Sequence, residues 1–119
     1  FPLKQHLPRK HRLTKKHEFD GIYARGRKTV CGRLSAKVAN GDLARLGIAV
    51  GRQYGASSDR NLFKRRVREV FRQRLEHLPP IEMVISVRPG RKPANYRDIQ
   101  LLFDEIVSQY SHSRTKAGN

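Results

Sequence analysis

Apolar positions recur at helical spacing in three stretches of the chain, and alternate or cluster between them. Phe19, Ile22 and Tyr23 follow the i, i+3, i+4 pattern of one helical face. Thr14 is placed to cap this helix and Gly26 to end it after Arg25. Its apolar face is narrow and more aromatic than a minimal core stripe needs. From Thr29 to Val38 the pattern becomes strand-like: Leu34, Ala36 and Val38 alternate with Ser35, Lys37 and Ala39. Asn40-Gly41-Asp42 reads as a turn, and Arg45 to Gly51 (RLGIAVG) as a short apolar strand. Gly55 and the Ser57-Ser58-Asp59 cluster break the chain and offer caps. A long helix is predicted from about Arg60 to Leu78, with Phe63, Val67, Val70, Phe71 and Leu78 on one face and Pro79-Pro80 as its stop. Ile81 to Val87 (IEMVISV) is the most apolar strand and the expected central one. RPGRKPANY is a loop, and Asp98 to Tyr110 a last amphipathic helix through Ile99, Leu102, Phe103 and Ile106.

The element order is helix, strands, helix, strand, helix. It predicts an α+β fold, a two-layer α/β sandwich with helices on a sheet. The 119 residues, 37% of them hydrophobic, make a single domain. Residues 1–13 carry Pro2, Pro8 and four basic residues, and no acid precedes Glu18. They read as an extended basic arm that orders on its partner, and residues 111–119 as a loose polar tail. No internal repeat is present.

Charge changes the picture most. Lys and Arg total 26 against 10 Asp and Glu, a formal net charge of +16. Such an excess repels itself in the compact state, so an anionic partner is the simplest explanation. Arg outnumbers Lys, 17 to 9. A guanidinium grips phosphate with a planar fork and stacks on bases, which favours nucleic acid over a membrane surface or an acidic protein. The single cysteine, Cys31, allows no disulfide within the chain, and the five histidines show no ligand spacing. The opening residues hold no apolar run of the secretory kind, and no stretch approaches spanning length. A cytoplasmic location is expected.

The most informative segment is RNLFKRRVREVFRQR, Arg60 to Arg74, with seven basic residues and one acid, Glu69. At about 100° per residue, Lys64, Arg65, Arg68 and Arg72 fall within roughly 100° of arc, flanking the apolar face. Arg60 and Asn61 stand at the expected helix start, where free N–H groups and the dipole favour phosphate. A merely solvated basic face with i, i+4 pairing is the plainer alternative, but one acid cannot balance seven bases.

The pattern Arg60-Asn61-x-x-Lys64-Arg65-x-x-Arg68-Glu69-x-x-Arg72 resembles the signature of the bacterial ribonuclease P protein component. The stretch EFDGIYARGR, the strand RLGIAVG and the apolar strand after the signature are similar to the same family, in the same order. The likeness spans about residues 9 to 107. Leu62 stands where the family usually has Arg, so one phosphate contact is absent. Gln53 follows Arg52 where members often carry a second basic residue. The resemblance implies a four-stranded sheet with an uncommon left-handed crossover. It also implies the role of protein subunit in a ribonucleoprotein that removes 5′ leaders from precursor tRNA. Catalysis would belong to an RNA using Mg²⁺, held by that RNA and the substrate rather than by a protein site. Arg60, Asn61, Lys64, Arg65, Arg68 and Arg72 would touch the catalytic RNA. A cleft between the first helix and the sheet would hold the single-stranded leader, with Phe19 and Tyr23 stacking on bases of any sequence. Lys37 and Arg52 would line the same cleft. The acids of the last helix, Asp98, Asp104 and Glu105, would mark a face turned away from RNA.

Core packing is the competing role for Phe19 and Tyr23. An intrinsic nuclease built on His17, Glu18 and Asp20 is disfavoured, because neighbours at i, i+1 and i+3 of a helix do not all converge. No second carboxylate pair completes a two-metal site. A ribosomal or other structural RNA-binding protein explains the charge but not the signature. A helix-turn-helix DNA-binding protein would need two adjacent helices where strands are predicted. Neither DNA nor a membrane is an expected partner.

Overall fold

The most apolar segment lies in the middle of the sheet. Ile81–Val87, β4, pairs antiparallel with Leu34–Asn40, β2, and parallel with Arg45–Ala49, β3. Arg27–Cys31, β1, completes the order β1-β2-β4-β3. A strand paired on both edges lies deepest in the fold, and β4 is apolar at every position but Glu82 and Ser86, both on the face that the first helix only partly covers. Around the sheet stand α1, Lys16–Arg25, α2, Ser57–Arg74, and α3, Tyr96–Gly118. This is the expected α+β fold. It was obtained as a computed structural model that describes residues 7–88 and 95–118, with side chains to residue 110.

The two faces of the sheet carry different cores. Leu34, Ala36 and Val38 of β2 and Ile81, Met83 and Ile85 of β4 pack with Phe63, Val67, Val70 and Phe71 of α2 and Ile99, Leu102, Phe103 and Ile106 of α3. The Phe71 and Phe103 rings meet edge to face, 6.2 Å apart. Each fully buried side chain of this size contributes roughly 1.5–3 kcal/mol. The intervening residues Ala39 and Val84 face the other way, into a smaller cluster with Leu13 and Ile22 that Phe19 and Ala49 flank. Thus α2 and α3 form one layer, and α1 covers only part of the opposite face.

Several boundaries differ from the sequence reading. The stretch from Thr29 to Val38 is not one strand but the end of β1, a turn and most of β2. Gly32 takes φ +61 in a two-residue turn that pairs Cys31 with Leu34, as a glycine at the first central position of a hairpin loop allows. Thr14 does not cap α1. Lys15 is the capping position, and the Glu18 carboxylate reaches back to accept the N–H groups of Thr14 and Lys15, both at 3.1 Å. Helix α2 starts at Ser57, so the Ser-Ser-Asp cluster forms its first turn instead of a cap. It ends at Arg74, where a 3-10 turn, Leu75–His77, leads to Leu78. Helix α3 begins at Tyr96, where Asn95 accepts the Asp98 N–H at 2.9 Å. Its backbone stays helical to Gly118, through most of the expected loose tail. Most of the expected RPGRKPANY loop, residues 89–94, lies outside the described residues.

The basic arm also needs correction. Residues 1–6 lie outside the described residues, but 7–13 are docked rather than extended into solvent. Leu7, His11 and Leu13 are buried around a 3-10 turn, Arg9–His11. His11 Nδ1 lies 2.7 Å from the Ala44 carbonyl oxygen, and its ring meets the edge of Phe71. Arg12 bridges in parallel to Leu46, and the Leu13 N–H donates to the Leu46 oxygen at 2.9 Å. β3 is an edge strand whose outer polar groups need cover, and this segment provides it.

Candidate nucleic-acid interface

Burying Phe63, Val67, Val70 and Phe71 fixes the rotation of α2. Lys64, Arg65, Arg68 and Arg72 then form a continuous stripe beside the buried face, as the spacing predicts. Arg65 is exposed, while Lys64, Arg68 and Arg72 are half-buried. Glu69 makes no ion pair with Arg65 or Arg72. Arg74, off the stripe, pairs with Asp104 of α3 at 2.9 Å. The acids of α3 therefore leave the stripe uncompensated. The buried Arg72 Nε makes no hydrogen bond among the described residues. Arg60 and Asn61 lie one turn inside the helix, not at its start. The Arg60 N–H already donates to the Ala56 oxygen at 3.0 Å, so these two residues offer side chains and no free N–H groups.

On the α1 face, strand pairing builds rows of side chains. Lys28 stands opposite Lys37, Lys37 opposite Val84, and Val84 opposite Gly47. The next row is Val30, Ser35, Ser86 and Ala49. Val30 in this row is 59% exposed, because α1 crosses elsewhere. Arg52 is exposed on a 3-10 turn just past the end of β3.

The position of α1 is set by charge as well as by Ile22. Arg45 donates to Glu18 at 2.6 Å and to Glu82 at 3.4 Å, and Arg25 donates to Glu82 at 3.1 Å and to the Asn40 oxygen at 3.0 Å. The Lys15 N–H above all, and then the Arg45 guanidinium, lower the Glu18 carboxyl to about 2. These contacts tie the Glu18–Ile22–Arg25 edge of α1 to the row of Arg45 and Glu82. The Phe19–Tyr23 edge is left toward the uncovered rows. Phe19 is half-buried with its ring on Gly47, whereas Tyr23 is 42% exposed. Phe19 thus has a packing role in addition to any binding role, and Tyr23 is a surface residue.

The structure brings Phe19 together with Lys64 and Arg68, which line one cavity with Arg12. Tyr23, Lys37 and Arg52 are not on that cavity. The sequence reading missed Arg12, Lys28 and Gly47. A glycine inside an apolar strand was the available signal for Gly47, since it marks a close approach. His17, Glu18 and Asp20 do not converge: Glu18 turns to Arg45, and Asp20 faces Lys16 at 3.8 Å. No group of three or more His, Cys, Asp or Glu suited to a metal occurs among the described residues.

A cationic helix stripe beside a partly uncovered, aromatic-edged sheet face defines an RNA-binding domain of the α+β class. The family model for ribonuclease P matches residues 7–111. The ribonuclease P protein component of Thioalkalivibrio sulfidiphilus is 36% identical over 89 residues, 72% of this chain and 74% of that protein. The corresponding protein of Chlamydia trachomatis serovar L2 is 33% identical over 106 residues, 87% and 85% of the two chains. The solved RNase P protein of Staphylococcus aureus superposes with a TM-score of 0.74 at 25% identity, covering 84% of this chain and 94% of that one. The Thermotoga maritima RNase P protein shares the fold, with a TM-score of 0.69 at 24% identity over 82% and 96%. The chain belongs to the ribonuclease P protein family. Its role is that of the protein subunit in an RNA-containing endoribonuclease of tRNA processing.

Proposed function

We propose that the α2 stripe docks the catalytic RNA of ribonuclease P while the uncovered sheet face beside α1 holds the 5′ leader of precursor tRNA. The observation that carries this reading is the α2 stripe itself, whose cations find no ion-pair partner among the described residues. A stripe of this kind matches an RNA backbone, where each neutralised phosphate releases counterions. The leader track is supported by the Phe19–Tyr23 edge together with Lys28, Lys37 and Arg52 around the open rows. Aromatic rings accept any base, and the cations hold the backbone. The protein contributes binding and no chemistry. Mg²⁺ is held by the RNA subunit and the substrate. The work takes place in the cytoplasm, and neither DNA nor a membrane is a partner; among the described residues no helix is long and apolar enough to cross a membrane.

The test is the Arg65→Ala/Arg68→Ala variant. It should still fold, since both side chains lie off the apolar face. Its affinity for the RNA subunit should fall, and the slope of log K against log salt should flatten by roughly 0.7–0.9 for each lost phosphate contact. Unchanged affinity and slope would remove α2 from the interface.

A further inference from the structure

A cavity of about 210 Å³ lies between the N-terminal segment, α1, β3 and α2. Arg12, Lys64 and Arg68 line it, and among the described residues no acid does. None of the three makes an ion pair among the described residues. Burial, and then the like charge of Arg12, pull the Arg68 guanidinium below its ordinary value. Cations gathered around one cavity without a counter-charge repel one another until an anion arrives. The rest of the wall is mostly apolar, Leu13, Phe19 and Leu46 among it, and includes Thr14. One side therefore suits a phosphate, gripped by guanidinium forks. The other suits the sugar or base attached to it.

We infer that Arg12, Lys64 and Arg68 form a single phosphodiester site for one RNA nucleotide, with Phe19 as its apolar wall. The inference rests on the reading of α2 as an RNA surface and adds the N-terminal segment to it. Arg12 is carried to the site by the fold. Its backbone bridges to Leu46, and its carbonyl oxygen accepts from Arg45 Nη2 at 3.2 Å. Docking of residues 7–13 on β3 thus assembles the third cation opposite two that α2 presents one turn apart.

Arg12→Gln, Arg68→Gln and the double variant test this. One arm measures binding to the RNA subunit alone, and the other binding of the holoenzyme to precursor and mature tRNA. Each single change should weaken one of these about 10-fold, and the double change by clearly less than the product of the two, because both groups grip one phosphate. Loss in the first arm identifies the catalytic RNA as the source of the nucleotide. Loss confined to precursor tRNA identifies the leader. Free Arg12→Gln protein should melt no lower than wild type, since a like-charge contact is removed. If it melts lower, Lys64→Gln in combination with Arg68→Gln carries the same cycle on α2. Multiplicative losses, or full affinity in both arms, overturn the site. Full affinity of Arg12→Gln beside a weakened Arg65→Ala/Arg68→Ala rejects the shared site and leaves the α2 reading standing. Full affinity of both variants rejects the two together.

Discussion

Gly47→Ala probes the point where sheet packing meets the leader track. A Cβ at Gly47 would lie 2.8 Å from Phe19 Cζ, 2.9 Å from Phe19 Cε2 and 3.2 Å from Leu13 Cβ. β3 cannot recede, because it is held in register with β4 from Arg45 to Ala49. α1 is restrained by the 2.6 Å contact of Glu18 with Arg45 and by Arg25 on Glu82. The ring of Phe19 must therefore swing out. Overpacking of this size costs about 1–3 kcal/mol. Loss of glycine's freedom in the unfolded chain offsets about 0.4–1 kcal/mol of that. At the middle of both ranges the net is about 1.3 kcal/mol, which for a domain of this length lowers Tm by roughly 4–8 °C. With the ring displaced, the holoenzyme should bind leader-bearing precursor up to about 10-fold more weakly, a loss within the ~1–3 kcal/mol of one base–aromatic stack. Mature tRNA should bind as before. Adding Phe19→Leu removes the ring edge, so Gly47→Ala/Phe19→Leu should regain part of the lost Tm without regaining precursor affinity. Thermal melts and binding titrations on the same preparations give both readouts. A Gly47→Ala protein that melts within a degree of wild type, or a double variant that melts below both single variants, would refute the packing of Phe19 on Gly47.

Tyr23→Leu should leave Tm unchanged, because the side chain is 42% exposed, and weaken precursor binding by at most ~1–3 kcal/mol; a lower Tm with normal binding would make Tyr23 a packing residue. Glu18→Gln tests the anchor of α1. A carboxyl held at about 2, well below its ordinary value of 4.5, contributes stability that is complete above pH 4.5 and is lost as pH falls towards 2. Screening by solvent limits this contribution to about 1–2 kcal/mol. Wild type should therefore lose Tm relative to Glu18→Gln between pH 5 and pH 2, and parallel acid profiles for the two proteins would count against the anchor.

The stretches whose surroundings impose a local pattern were legible before folding was known. β4 is apolar at every position but Glu82 and Ser86, and its central place follows from that. Packed on one side only, α2 keeps a 3.6-residue period, and the cationic stripe follows from the same period. Two short-range cues are ambiguous in the sequence alone. Cys31-Gly32-Arg33-Leu34 is a hairpin turn whose flanking residues alternate without a break. Ser57 to Asp59, good capping residues, lie inside the helix because Ala56 already takes the extended conformation that starts it.

By itself, the sequence determined the α+β class, the central strand, the helix that carries the cationic stripe, and the family. Each is written in local spacing, charge or an ordered motif. Only the tertiary structure decided that α1 covers the face opposite α2 and α3, that residues 7–13 dock on the edge of β3, and that Arg12, Phe19, Lys64 and Arg68 share one cavity. The periodicity of one element says which of its faces is apolar, not which partner will cover it. Arg12 and Arg68 meet only because β3, an edge strand with polar groups to satisfy, draws the N-terminal segment alongside α2.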